Sequence, residues 1–368
     1  MQKKKLKQNY IILAIDTSCD ETSVAITRDD KVVANIISSQ VSLHRKWGGV
    51  VPDIAKRAHQ EKIDQSVSEA LKRAKVDIKD VDAVAVTQGP GLAIALEVGI
   101  KKAKEISLNY QKPLIAVNHM EGHLFSSLVK NSKGKGSKMS NLSRHQAGVK
   151  GKMSNVLGLL VSGGHTELVL IEKLGQYKKI GWTVDDAAGE AFDKFAKMLD
   201  LGYPGGHVVE EFAKKCSESK YELPRPMKSS GDLNYSFSGL KTAALYLIRD
   251  LKKELKVEYL PKQIVYDLCL SFQEAVIDSL MIKFEKAIVK HSPRMAFCGG
   301  GVLANVNLRR SIRKICRRYN ITALFPYNER LYTDNAAMIG VAAFFKAQRG
   351  EFWEKSFDEL DRLPGLSL

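Results

Sequence analysis

Two histidines four residues apart are the sharpest chemical signal in the chain. His119 and His123 stand in His-Met-Glu-Gly-His. On a helix that spacing projects both imidazoles from one face, where they can share a metal ion. The zinc-protease arrangement His-Glu-x-x-His has the same histidine spacing but carries its general base directly after the first histidine. Here Met120 takes that place, and Glu121 points about 200° around the helix from His119. Protease chemistry is disfavoured, and any third ligand has to come from elsewhere. The same spacing also suits two core histidines with no ligand role.

Glycine turns form a second group. Ser162-Gly163-Gly164 follows an apolar run, Gly89-Pro90-Gly91 precedes a helical pattern, and Gly299-Gly300-Gly301 lies between a strand pattern and a helical one. Each suits close backbone approach to phosphate or adenine, and each is equally a tight turn that the fold demands. No G-x-x-x-x-G-K-[ST] motif and no strand-following G-x-G-x-x-G is present, which disfavours P-loop and Rossmann nucleotide sites. Two carboxylates stand out. Asp334, ahead of an apolar helical stretch at 336–347, reads as an N-cap. Asp193, beside the stripe Ala188, Ala191, Phe192 and Phe195, reads as part of a solvated helix face.

The elements that position these residues alternate. Ile11 to Ile15 is a buried-strand pattern, followed by the polar turn 16–21 and a second strand from Thr22 to Thr27. The same shape returns 144 residues later as strand 157–161, turn 162–165 and strand 166–171, so that Ser18 falls on Ser162 and Thr22 on Thr166. Such a repeat points to two duplicated lobes. Between the copies the pattern predicts helix from Pro52 through Ile63 and on to about Ala74, strand 83–87, helix to about Leu108, and strand 114–117 feeding a helix near His119. Beyond the second copy it predicts helix 187–199, an irregular stretch 202–239, helices from Leu240 and over 262–290, and strand 295–298. A helix over 302–319 carries Arg309, Arg310, Arg313, Lys314, Arg317 and Arg318 opposite Leu308, Ile312 and Ile315, a basic face that is either solvated or turned to nucleic acid. Strands alternating with helices argue for an α/β class. The expected organisation is a lobe from 1–130 with about 331–368, a second lobe over 155–330, and a basic, disordered insertion at 131–154 that has no acidic residue.

Composition bounds the rest. The chain has 368 residues, 44% hydrophobic and 27% charged, enough to bury a large core without staples. Its net charge of +16 favours a polyanionic partner, nucleic acid first and an anionic membrane surface second. The five cysteines are odd in number and lack metal-ligand spacing, which suggests a reducing compartment. With no long apolar run and no apolar segment in MQKKKLKQNY, a cytoplasmic protein without a membrane span is expected.

Ten blocks in one order tie these pieces together. They are IDTSCDETSVAI (15–26), HRKWGGVVPDIAKRAH (44–59), QGPGL (88–92), NHMEGH (118–123), LLVSGGHTEL (159–168), DDAAGEAFDKFAKMLDLGYPGG (185–206), PRPM (224–227), SFSGLKTA (236–243), GGGVLAN (299–305) and YTDNAAMIG (332–340). In this order they resemble the tRNA adenosine threonylcarbamoyltransferases of the TsaD type, formerly called O-sialoglycoprotein endopeptidases or glycoproteases. The resemblance implies an actin-like, sugar-kinase-like and Hsp70-like ATPase fold of two duplicated lobes around a central cleft. It implies transfer of the threonylcarbamoyl group from threonylcarbamoyl-AMP to the exocyclic amine of adenosine 37 in tRNAs reading ANN codons. It also implies one divalent metal, iron(II) (Fe2+) first and zinc second, on His119, His123 and Asp334. Substrate contacts are implied at Leu160, Val161, Ser162, Gly163, Gly164, Asp193, Gly206 and Asn305. Besides tRNA, the implied partners are an inactive TsaB-type paralogue and a small TsaE-type ATPase, or a second copy in a homodimer. Departures from the pattern are Asn118 before His119, Asp53 where Glu is expected, His207 where Pro is usual, and an altered GGGVLAN. The rival readings are a small-molecule kinase of the same fold and a non-catalytic tRNA-binding subunit.

Overall fold

The computed structural model describes residues 9–136 and 153–368, so most of the expected 131–154 insertion lies outside the described residues. The chain opens with a meander of β1 (Ile11–Asp16), β2 (Glu21–Arg28) and β3 (Lys31–Ser39). The one-turn helix α1 (Val41–His44) leads to α2 (Pro52–Ala74), a single helix whose proline sits in the first turn, where its missing N–H costs nothing. Then come β4 (Ala83–Gly89), α3 (Ala93–Asn109), β5 (Leu114–Asn118) and α4 (His119–Phe125). A second meander follows, β6 (Val156–Val161), β7 (Thr166–Lys173) and β8 (Gln176–Trp182). Helices α5 (Ala188–Met198), α6 (Gly205–Ala213), α7 (Ser238–Glu254) and α8 (Lys262–His291) precede β9 (Met295–Gly299), α9 (Val306–Arg318), β10 (Thr322–Leu324) and α10 (Ala336–Arg349).

The strands form two five-stranded sheets with matching orders, β3-β2-β1-β4-β5 and β8-β7-β6-β9-β10. In each, the innermost hairpin strand pairs antiparallel on one side and parallel on the other. The register is duplicated as well. Ile15 faces Val24 and Asp16 faces Ser23; 144 residues on, Leu159 faces Leu168 and Leu160 faces Glu167. The short repeat at Ser18 and Ser162 is the trace of that duplicated hairpin.

Side-chain alternation sets the layers. On β1, Leu13 and Ile15 pack outward against α2 and α3, while Ile12 and Ala14 face the layer between the sheets, where α4 and α10 lie. The outer face of the second sheet, Leu157, Leu159 and Val161, is covered by α5 and α7 to α9. Five elements escape the sequence pattern: β3, α1, β8, β10 and α6. The last begins with Gly205-Gly206, poor helix formers, and is held by packing of Val209 and Ala213 rather than by propensity.

The C-terminal tail crosses back over the 88–91 turn. Leu363 N donates to Gln88 O (2.8 Å), Gly91 N to Pro364 O (3.2 Å) and Asn118 Nδ2 to Ser367 O (3.1 Å). A side chain at Gly89 would overlap the Leu363 carbonyl. Among the described residues no helix is long and apolar enough to cross a membrane.

Candidate metal centre and substrate cleft

Helix α4 starts at Asn118, whose Oδ1 accepts from Met120 N (2.8 Å) and Glu121 N (3.3 Å), a cap worth about 1 kcal/mol. From one face of this buried helix His119 Nε2 and His123 Nε2 reach to 3.3 and 3.2 Å from Asp334 Oδ1. One ligand atom from each of the three lies within 4.8 Å of the others. The N-cap reading of Asp334 moves one residue along: Asn335 caps α10, accepting from Met338 N (3.1 Å), and Ser23 Oγ accepts from Ala336 N (2.8 Å). The carboxylate of Asp334 is thereby left for the histidines.

Charge is tightly balanced here. Burial alone would push the His119 imidazole down, but the carboxylates of Asp334 and Asp16 outweigh it and hold the ring at about 10. Burial, the larger influence, lowers His123 below its ordinary value. Burial would raise Asp334, yet the two histidines hold it well below the usual carboxylate range. The fit to a metal is visible in unpaired atoms. His123 Nε2 is buried and faces Asp334 without a hydrogen bond, and His119 Nδ1 and Asp16 Oδ2 are also buried and unpaired. Leaving such groups unsatisfied costs about 1–3 kcal/mol each. Two imidazoles and a carboxylate form a donor set suited to iron(II) or zinc with positions left open.

The triangle opens onto a cavity of about 520 Å³ between the two sheets, and the far wall includes Ser162, Gly163, Gly164, Asp193, Gly206 and Asn305. Leu160 and Val161 do not line it; both are fully buried in β6, where the Val161 carbonyl lies against Gly300 at φ +104°. At Gly163 and Gly164 nothing would meet a Cβ, so the glycines present bare backbone to the cavity rather than relieve a clash. Asp193 is not a solvated face. Its Oδ1 accepts from Gly205 N (2.7 Å), and burial raises its carboxyl. It therefore fixes the first turn of α6, which carries Gly206. Asp193→Ala strands that amide and is expected to destabilise the fold by about 1–3 kcal/mol, measured by urea unfolding. Asn305 has both ends of its amide engaged, Oδ1 capping α9 at Leu308 N (3.0 Å) and Nδ2 on Gln273 Oε1 (2.7 Å).

Sequence reasoning passed over the acidic character of the wall. Asp20, Glu21, Asp193, Glu210 and Asp334 line it, with no lysine or arginine among the described lining residues. Burial, then Asp20 and Asp334, raises Glu21 well above its ordinary value. The cluster 16–21 was visible as a polar turn, but nothing local revealed that it faces Asp334. Such a wall repels phosphate until a cation is present. Glu121 points away: it accepts from Tyr177 OH (2.5 Å) and Arg349 Nη2 (3.2 Å), locking α4 to β8 and α10. A protease base is physically absent from that position.

The sequence model of TsaD, tRNA N6-adenosine threonylcarbamoyltransferase, matches residues 31–137 and 138–341. The chain belongs to this family. The tRNA N6-adenosine threonylcarbamoyltransferase of Kosmotoga olearia is 44% identical over 97% of this chain and 98% of its own length. That of Dictyoglomus turgidum is 42% identical over 92% and 94%. Among solved structures, HypF of T. kodakarensis superposes with a TM-score of 0.58 at 13% identity, over 94% of this chain and 49% of that one. Component A of Acidaminococcus fermentans (R)-2-hydroxyglutaryl-CoA dehydratase gives 0.51 at 12%, over 92% and 98%. These likenesses show the fold alone, a two-lobed α/β fold with a mixed five-stranded sheet in each lobe. Of the departures from the threonylcarbamoyltransferase pattern, Asp53 is exposed on the first turn of α2, outside the cavity, whereas His207 lines it.

Proposed function

We propose that this chain transfers the threonylcarbamoyl group from threonylcarbamoyl-AMP to the exocyclic amine of adenosine 37 in tRNAs reading ANN codons, releasing AMP. The observation that carries the reading, beside family membership, is the His119–His123–Asp334 triangle opening onto the same cavity as the 162–164 turn. These three residues would hold one divalent metal, iron(II) first and zinc second. A bound ion supplies positive charge and Lewis acidity at phosphate or carbamoyl oxygens. Because the acyl phosphate donor already has a good leaving group, no protein nucleophile is required.

The chain's own residues do the remaining work. Gly163 and Gly164 offer backbone amides to oxygens that gain negative charge, while the Ser162 amide closes the turn on His165 O (2.8 Å) and Leu160 and Val161 set the position of that turn. Asp193 holds the first turn of α6, with Gly206, in place, and Asn305 shapes the opposite corner. The cavity walls keep water from an anhydride that water would hydrolyse. In this reading the lobe of about 1–130 and 331–368 carries the metal and the lobe of 155–330 the substrate turns. tRNA, a TsaB-type paralogue and a TsaE-type ATPase are the proposed partners, with a homodimer as the alternative assembly and the cytoplasm as the compartment.

Nucleoside mass spectrometry on unmodified tRNA tests this, with metal-loaded protein, threonylcarbamoyl-AMP and each partner combination. Threonylcarbamoyladenosine is the expected product. Its absence in every combination overturns the reading. ATP-dependent phosphorylation of a metabolite would then favour a kinase, and tRNA binding without product a binding subunit.

A further inference from the structure

The cleft chemistry makes no use of α9, yet this helix carries the densest positive charge described in the molecule. Leu308, Ile312, Ile315 and Cys316 are buried on one side. On the other, Arg310, Arg313, Lys314, Arg317 and Arg318 alone line a surface recess of about 500 Å³. Some of this charge is committed to the fold. Arg309 lies over Tyr332 and donates to the carbonyls of Leu303 and Ala304, Arg313 lies over Phe325, and Arg318 pairs with Glu285 at 2.6 Å. Arg310, Lys314 and Arg317 are exposed, one helical turn apart, and form no ion pair among the described residues.

Position gives the charge a direction. The helix is capped by Asn305 on the cavity wall, and at about 1.5 Å per residue it carries its basic row roughly 18 Å outward to Arg317. Like charges at this spacing repel one another, and an anion laid along the row relieves that cost. A lipid surface fits poorly. The large apolar side chain exposed on this helix's run is Tyr319, just past its far end and hydrogen-bonded to Glu285, so no apolar group is free to insert. A linear polyanion that starts at the cavity mouth fits well.

We propose that Arg310, Lys314 and Arg317 form an RNA-docking rail that grips backbone phosphates of the strand whose adenosine enters the cavity. The choice of RNA rests on the transferase reading above; the rail itself rests on the geometry of α9. The test compares wild type with the Arg310→Ala, Lys314→Ala, Arg317→Ala triple variant in binding of unmodified tRNA across a salt series. A matched triple, Lys62→Ala, Lys72→Ala, Lys101→Ala on the remote exposed faces of α2 and α3, removes the same charge elsewhere.

Loss of the rail is expected to weaken tRNA binding about tenfold or more at low salt. It should also flatten the log–log salt slope by roughly 2–3, near 0.7–0.9 for each phosphate that is no longer neutralised. KM for tRNA rises while kcat at saturating tRNA and KM for the donor stay unchanged. An unchanged slope overturns the proposal, and so does an equal loss in the matched triple, which would make the effect one of net charge. Loss of binding to phosphatidylserine vesicles with tRNA binding intact overturns it in favour of a membrane. A wild type that makes no product sinks the transferase reading, yet the slope comparison still decides the rail.

Discussion

Asp334→Asn is expected to fold normally, hold little divalent metal and form threonylcarbamoyladenosine about a thousand-fold more slowly than wild type. The fold survives because Asn335, not Asp334, caps α10. The metal is lost because the amide puts a neutral group 3.2–3.3 Å from both imidazole nitrogens, where an anionic oxygen had been. The rate follows because Lewis-acid assistance is worth several kcal/mol, and each 1.36 kcal/mol is tenfold. Elemental analysis of the purified variant, next to thermal melting and nucleoside mass spectrometry, checks all three. Full metal occupancy in the variant would remove Asp334 from the ligand set and with it the proposed centre.

The second large effect concerns three consecutive glycines with three different environments. A Cβ at Gly299 would overlap the carbonyl of His123 on α4, backbone against backbone, with Ser126 Oγ only 3.3 Å away. Neither side can yield, because β9 is held to β6 with Gly299 opposite Leu160. Gly299→Ala is expected to cost about 3 kcal/mol or more and to lower metal content by displacing α4. Gly301→Ala, two residues on, meets nothing within 4 Å and should stay within about 0.5 kcal/mol of wild type. Urea unfolding of the pair decides it: similar curves would mean that β9 does not bear on the histidine helix.

What the sequence disclosed follows a physical divide. The histidine pair and the duplicated hairpin were legible because their information is local: a spacing of four along one helix, and one alternation of apolar residues returning 144 positions later. Asp334 was ambiguous because Asp and Asn are adjacent and either can cap; only the resemblance assigned the ligand. Asp193 looked solvated because its partner amide lies twelve residues on, across the Tyr-Pro-Gly-Gly loop. Glu121 could be excluded as a base by its angle, but its partners Tyr177 and Arg349 come from distant strands and helices. β8, with the polar pair Lys178-Lys179 in its middle, shows no clean alternation, and its strand character comes from pairing with β7.

The placement of the histidine–aspartate triangle on one side of the cavity bears on how variants are to be assayed. α4 follows β5, and Asp334 leads into α10, which packs on β1, β2 and β3; the glycine turn, Asp193 and Asn305 all ride on the second sheet. Helix α4, however, also packs on β6 and β9, where the His123 carbonyl lies against Gly299, so both sheets bear on the histidines. A variant that shifts β9 is therefore expected to lose metal and turnover together. A variant of the 162–164 turn that leaves α4 in place is expected to purify fully charged with metal and still be slow, so metal content alone is no measure of catalytic competence.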